Sequence, residues 1–153
     1  MKLNKNISKL DKTYSDNIEC FIKEVDCEFV PPLSSRVSIS EWSKKLNELA
    51  VNIGKINDDG DLEALISFYA NKGDVSYISF VAVSKSQRGK KTGTALLDYC
   101  IDFCTEIGST YVKLETWLSN ERIIDVYHSR GFVDLEIKND RSVDKSLILI
   151  KKL

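Results

Sequence analysis

The sequence predicts an α+β fold. Helix-spaced apolar residues come first, three short runs rich in β-branched and aromatic residues follow with hairpin turns between them, and helical stripes then alternate with strands. A segregated meander followed by crossovers is the α+β pattern. A chain of 153 residues suits one domain with a substantial core, and a single domain over residues 1–153 is expected.

The elements can be justified in turn. Tyr14 to Val25 places Ile18, Phe21, Ile22 and Val25 at helical spacing. Pro31 and Pro32 stiffen the connection from Cys27 to Val37, which is polar and reads as exposed. A second helix runs from Ser38 to Ala50, with Ser38 and Glu41 spaced as a capping box and Ile39, Trp42, Leu46 and Leu49 on its inner face. The period then changes. Residues 50–56, 62–70 and 75–83 read as three antiparallel strands, separated by turns at residues 57–61 and 71–74.

From Thr94 a helical stripe of Leu96, Leu97, Cys100, Ile101, Cys104 and Ile107 runs to a stop at Gly108. Tyr111 to Trp117 is strand-like, and Ser119 is a candidate cap for a helix reaching Gly131. Residues 133–137 and 142–150 read as a closing pair of strands joined across Asn139 and Asp140.

Lys and Arg number 22 against 23 Asp and Glu, a net charge of −1, so no global field draws the chain to nucleic acid or to an anionic membrane. The cluster Lys85, Arg88, Lys90 and Lys91 is therefore local and suits a small anionic ligand. No apolar stretch approaches the roughly 20 residues of a membrane span, and the N-terminal residues lack the apolar core of a secretory signal. The four cysteines form no C-x-x-C pair. Cys100 and Cys104 share a helix face and read as a buried, reduced pair. A cytoplasmic protein without a metal site is expected.

Residues 80–94 carry the strongest functional signal. An apolar strand stops at Val83, a basic turn punctuated by Gly89 and Gly93 follows, and an amphipathic stretch begins at Thr94. Strand, cationic glycine loop and helix N-terminus together present N–H groups and a positive helix end to a phosphate. Two phosphate motifs fail by position. A nucleotide P-loop ending at Gly89-Lys90 needs glycine at Ser84 and a hydroxyl residue at Lys91. A dinucleotide fingerprint needs three glycines in a parallel unit, and only Gly89 and Gly93 are present.

The segment from Val83 to Leu97 resembles the pyrophosphate loop of the GNAT N-acetyltransferases. Arg88 matches that pattern's first position and Gly93 its last, with Thr94 where a small hydroxyl residue is common. Lys91 departs from it, standing at the usual first glycine. A second resemblance lies downstream. Asn120 opens a predicted helix, Tyr127 follows seven residues or about two turns later, and Gly131-Phe132 closes the segment. Val112 to Thr116 is similar to the family strand that splays from the glycine-loop strand to admit the pantetheine arm. The resemblance covers residues 77–132, with a coenzyme-binding core at about 75–132, and implies the GNAT fold, a mixed, mostly antiparallel sheet flanked by helices.

It also implies a chemistry: acetyl transfer from acetyl-CoA to a primary amine by direct attack in a ternary complex. Backbone N–H groups of Val81, Ala82 and Val83 would hold pantetheine and polarise the thioester carbonyl. Those of Arg88, Gly89, Lys90, Lys91, Thr92, Gly93 and Thr94 would hold the pyrophosphate. Asn120 is a coenzyme ligand or a helix cap. Tyr127 is the candidate acid for the departing thiolate, since a phenol near pKa 10 can donate to a thiol near 8.5. Glu115 is the candidate base, with an ion pair as its bland reading, and His128 points elsewhere around the helix.

The connection from Cys27 to Lys45, with Phe29, Arg36 and Trp42, is expected to shape the acceptor pocket. Its sequence is somewhat similar to acetyltransferases with surface-polysaccharide functions, making an amino sugar one candidate acceptor. A homodimer is admitted as a partner state. The competing reading is a non-catalytic acyl-CoA sensor, suggested by Lys91. A toxin acting on aminoacyl-tRNA is disfavoured by the near-neutral charge.

Overall fold

The computed structural model describes residues 7–29, 32–139 and 145–153. Among them, seven strands form one sheet, β1 (Ile7–Leu10), β2 (Val51–Ile56), β3 (Leu62–Tyr69), β4 (Val75–Val83), β5 (Tyr111–Trp117), β6 (Val133–Lys138) and β7 (Ser146–Lys152), in the spatial order β1-β2-β3-β4-β5-β7-β6. Four helices flank it: α1 (Ser15–Val25), α2 (Ile39–Leu49), α3 (Thr92–Ile107) and α4 (Glu121–Ser129). Short 3₁₀ turns at Asp26–Glu28, Leu33–Ser35 and Lys85–Gln87 shape the connections near the site.

The α+β expectation and the mixed, mostly antiparallel sheet are both realised, with β4 and β5 as the parallel pair. Helix α3 supplies the crossover between them. The β4 and β5 boundaries coincide with those read from the sequence. Three expectations are corrected. The strand β1 was not anticipated, because four residues are too few for an alternation to register. Leu49 was expected on the inner face of α2 but is 65% exposed. The helix ends there and turns into β2, so Ile39, Ser43 and Leu46 form the buried line. Helix α4 starts at Glu121 with Asn120, rather than Ser119, at the capping position. Residues 142–144 of the last expected strand, along with Val30, Pro31 and Asp140, lie outside the described residues.

Two apolar cores pack on opposite sides of the sheet. Phe21, Ile22, Leu46, Leu65 and Phe80 build the one under α1 and α2. Ile66, Phe68, Leu96, Leu97, Val112, Leu114 and Phe132 build the one under α3 and α4. Burial of such side chains stabilises by roughly 1.5–3 kcal/mol each.

One irregularity in β4 positions the site. Ser67 pairs with Phe80, but Phe68 pairs with Ile78, so Ser79 is an extra residue in the strand. A bulge of this kind reverses the side-chain alternation beyond it. Ile78 faces the α3/α4 core, while two residues later Phe80 faces the α1/α2 core.

Candidate active site

Only residues 75–78 of β4 pair with β5, in the register Val75–Tyr111 to Ile78–Leu114. From Ser79 onward the two strands separate. Along β3 the antiparallel ladder continues to Val83, so alternate backbone groups of residues 80–83 turn toward the gap and find no strand there. The gap opens into a cleft of about 1150 Å³ lined by Val81, Ala82 and Val83 on one wall and by Glu115, Asn120 and Tyr127 on the other.

The glycine loop leaves the top of this cleft. Ser84 is tied back to β3 by its N–H on the Glu63 carbonyl at 2.8 Å, and buried Gln87 accepts from Lys55 Nζ at 2.6 Å. Gln87 N–H donates to the Ser84 carbonyl and Arg88 N–H to the Lys85 carbonyl, at 3.0 and 3.3 Å. The amide of Arg88 is therefore already engaged. Beyond it, the N–H groups of Gly89, Lys90, Lys91, Thr92, Gly93 and Thr94 have no acceptor among the described residues. The last three open α3 and the others lead into its positive end, an arrangement suited to phosphate oxygens.

Gly89 has φ +78° and Lys91 φ +60°. Lys91 is the sole non-glycine residue with positive φ among those described, and this left-handed turn is the conformation a glycine adopts without cost. The lysine keeps the loop's path at the expense of backbone strain. Gly93 serves a different purpose. A Cβ there would meet Val83 Cγ2 at 3.4 Å, an ordinary van der Waals contact, so its place among the first amides of α3, rather than a steric need, is what bears on the site.

The Arg88 guanidinium does not point along the loop alone. Its Nε donates to the Val83 carbonyl at 3.3 Å and its Nη2 to Glu28 Oε1 at 2.7 Å. Glu28 belongs to the turn after α1, so this pair joins the glycine loop to the α1–α2 connection.

Tyr127 is 5% exposed, and its ring meets Phe132 edge-on at 5.6 Å. Burial, and secondarily the nearby Cys100 thiol, pushes its hydroxyl well above the usual phenol range. Asn120 makes no side-chain cap. Its Nδ2 donates to Thr116 Oγ1 at 3.2 Å, which ties α4 to the end of β5. Asn120 thus occupies the capping position through its backbone carbonyl, which accepts from Ile124 N–H at 3.1 Å, and not through its side chain.

Glu115 lies on the opposite sheet face from the α4 side, since Val112 and Leu114 take the α3/α4 core. Its Oε2 accepts from the buried Ser146 hydroxyl at 2.6 Å. Tyr77 stands nearby, its hydroxyl raised by burial and then by the Glu115 charge. Phe29, Arg36 and Trp42 line the same half of the cleft, so the α1–α2 connection supplies its outer wall. Phe80 is packed by Phe29 at 5.7 Å and Trp42 at 5.4 Å. Arg36 lies over the Trp117 ring at 5.2 Å.

Sequence reasoning missed Tyr77, Trp117 and Ser146. The bulge at Ser79 hides which face Tyr77 takes, and Ser146 reaches Glu115 only through the β5–β7 pairing. Two other groups stand apart. His128 Nε2 meets Asp134 Oδ1 at 2.6 Å on the exposed side of α4. Cys100 and Cys104 are fully buried free thiols. Hydrogen bonding from Cys100 above all lowers Cys104 to about 7 against the effect of burial, while burial pushes Cys100 up. Among the described residues, no group of three or more His, Cys, Asp or Glu is placed to hold a metal.

Residues 10–132 match the Acetyltransferase (GNAT) family. No curated protein sequence matches the chain. Among solved structures, the ribosomal-protein-S18-alanine N-acetyltransferase from Escherichia coli superposes with TM-score 0.79 at 21% identity, over 95% of this chain and 92% of that one. Aminoglycoside 6′-acetyltransferase type Ii gives 0.78 at 19% identity, over 95% and 96%. Arabidopsis thaliana NAA60 in complex with a bisubstrate analogue gives 0.78 at 13% identity, over 95% and 96%. These likenesses are of fold.

Proposed function

The chain belongs to the GNAT acetyltransferase family, and from that premise we propose that it transfers an acetyl group from acetyl-CoA to a primary amine of a small-molecule acceptor, as a single-domain enzyme of the cytoplasm. The observation that carries this reading is the gap between β4 and β5, flanked by the unengaged amides of Gly89 to Thr94 and by the buried hydroxyl of Tyr127.

The residues present fit the coenzyme. Acetyl-CoA supplies the acetyl thioester and the pyrophosphate that the loop would hold. Loop amides from Gly89 to Thr94, with the α3 N-terminus, would bind the phosphates, and Lys90 and Lys91 add charge at the rim. Unpaired N–H groups of residues 80–83 would hold the pantetheine amide and stabilise charge developing on the carbonyl oxygen.

The reaction's atoms balance simply. The amine nitrogen forms a C–N bond as the C–S bond breaks, one proton leaves the nitrogen, and the sulfur requires one. Glu115, on the acceptor side of the sheet, would take the amine proton directly or through water. Tyr127, on the coenzyme side, would give one to the sulfur. Burial holds the hydroxyl protonated and also weakens it as an acid, so the proton would move only as C–S cleavage puts negative charge on the sulfur beside it. Asn120 and Thr116 would brace the strand end beside it.

An amino sugar is one acceptor to try, for which Tyr77, Glu115 and Ser146 offer hydrogen-bonding groups. All four cysteines are free thiols, which suits a reducing compartment. The test is coenzyme A release with a panel of amines, in the wild type and in Tyr127→Phe. Turnover on an amine, reduced in Tyr127→Phe, is expected. Tight coenzyme binding without turnover on any amine, and with no effect of the substitution, would instead favour a sensor of the same fold.

A further inference from the structure

The geometry points to an acceptor that carries a carboxylate as well as its amine, on an apolar or aromatic body: a small free amino acid or a close relative. This deepens the acetyltransferase reading and rests on it for the transfer step alone.

Three features of the acceptor half of the cleft carry it. First, its wall is aromatic. Phe29 and Trp42 pack on Phe80 at 5.7 and 5.4 Å, forming a surface that gains from covering an apolar body and offers few partners to a ring of hydroxyls. Second, the Arg36 guanidinium sits over the Trp117 ring, Cζ 5.2 Å from its centroid, and among the described residues its side chain makes no ion pair or hydrogen bond. The cation–π contact holds the guanidinium beside the cleft with its N–H groups unpaired, and these are the donors a carboxylate needs. Of the carboxylates lining the cleft, Glu28 pairs with Arg88 at 2.7 Å, Glu115 accepts from Ser146 at 2.6 Å, and Glu121 stands at the start of α4; none is paired with Arg36.

Third, the spacing is that of one small molecule. Glu115 and Trp117 are alternate residues on one face of β5, about 7 Å apart along the strand. An amine turned to Glu115 and a carboxylate turned to the arginine on Trp117 therefore fit a single compact acceptor. An amino sugar such as glucosamine brings its ammonium but no anion to pair with Arg36. A peptide N-terminus would present an amide carbonyl where the guanidinium can pair with a full charge.

The test uses the full-length protein with coenzyme A or acetyl-CoA and four probes: L-phenylalanine, L-leucine, their amides, and glucosamine. Calorimetry with coenzyme A present reads binding, and coenzyme A release with acetyl-CoA reads turnover. At least one free amino acid is expected to exceed its amide and glucosamine by about tenfold or more in affinity, the size of one charge-assisted hydrogen-bond pair. Arg36→Gln should erase that preference, Arg36→Lys should restore part of it, and the unfolding midpoints should be alike. Preference for the amides or glucosamine, a preference that survives Arg36→Gln, or no binding by either amino acid would overturn the inference. Selective binding without turnover on any probe would leave it standing and defeat the acetyl-transfer reading instead.

Discussion

Arg88 and Glu28 meet at 2.7 Å across the mouth of the cleft, so the loop proposed to hold pyrophosphate is tied to the connection proposed to shape the acceptor pocket. Both side chains retain solvent contact, 51% and 22% exposed, and a pair of this kind adds at most about 1 kcal/mol to stability. Its consequence is for ligand binding: phosphate and Glu28 compete for one guanidinium. Glu28→Gln should leave the unfolding midpoint nearly unchanged and tighten acetyl-CoA binding roughly twofold to fivefold at low salt. Calorimetry at two ionic strengths checks this, and weaker binding would mean that Glu28 aims Arg88 at the phosphates.

Lys91→Gly tests the strained position of the loop. A left-handed non-glycine residue costs roughly 1–2 kcal/mol, and glycine removes that strain while adding back some unfolded-state entropy. The substitution should therefore raise stability by up to about 1 kcal/mol and keep or improve acetyl-CoA affinity. Thermal unfolding and a binding isotherm on the same sample decide it. A large loss of affinity would identify the ammonium group as a phosphate ligand.

The part of the molecule from β4 through the glycine loop was legible because its signals are local. A β-branched run, a cluster of charges and two glycines mark boundaries without reference to distant residues. Asn120 and Tyr127 were singled out by their spacing and by the resemblance that spacing carries, and both line the cleft. What escaped is tertiary. The bulge at Ser79 depends on how β3 and β4 register, the Arg88–Glu28 pair spans sixty residues, and Leu49 is exposed because of where its helix stops. The irregular residue, Lys91, was visible as a departure, but its consequence was not: the structure keeps the turn and stores the strain in φ.

Gly93→Asp should separate folding from binding. An acidic residue in the first turn of α3 complements the helix dipole by about 0.3–1 kcal/mol, and the added Cβ meets Val83 Cγ2 at a tolerable 3.4 Å. The unfolding midpoint should thus hold or rise slightly. Acetyl-CoA affinity should fall by more than about tenfold, since a carboxylate would stand among the amides offered to phosphate. Gly93→Ala, which adds the same Cβ without charge, should retain most of the affinity. If the aspartate variant binds as the wild type does, the loop is not the pyrophosphate site.

Tyr127→Phe should lower kcat by about a hundredfold, the range of general acid catalysis, with the acetyl-CoA affinity little changed. It should also alter the alkaline behaviour of the fold. The Tyr127 hydroxyl is raised by burial in the folded protein, whereas in the unfolded chain it titrates near 10. Below that unfolded value both states hold the proton and its contribution is fully present. As pH rises through 10 toward the folded value, the unfolded chain gives up the proton first, so stability declines. Tyr69 and Tyr77 are raised too, but they are common to both proteins, so the difference isolates Tyr127. Urea unfolding from about pH 8 to about pH 11 should show a shallower decline in the phenylalanine variant. Equal slopes would mean that the hydroxyl titrates as a solvated phenol, and the alkaline limb of kcat would then have to be assigned to it.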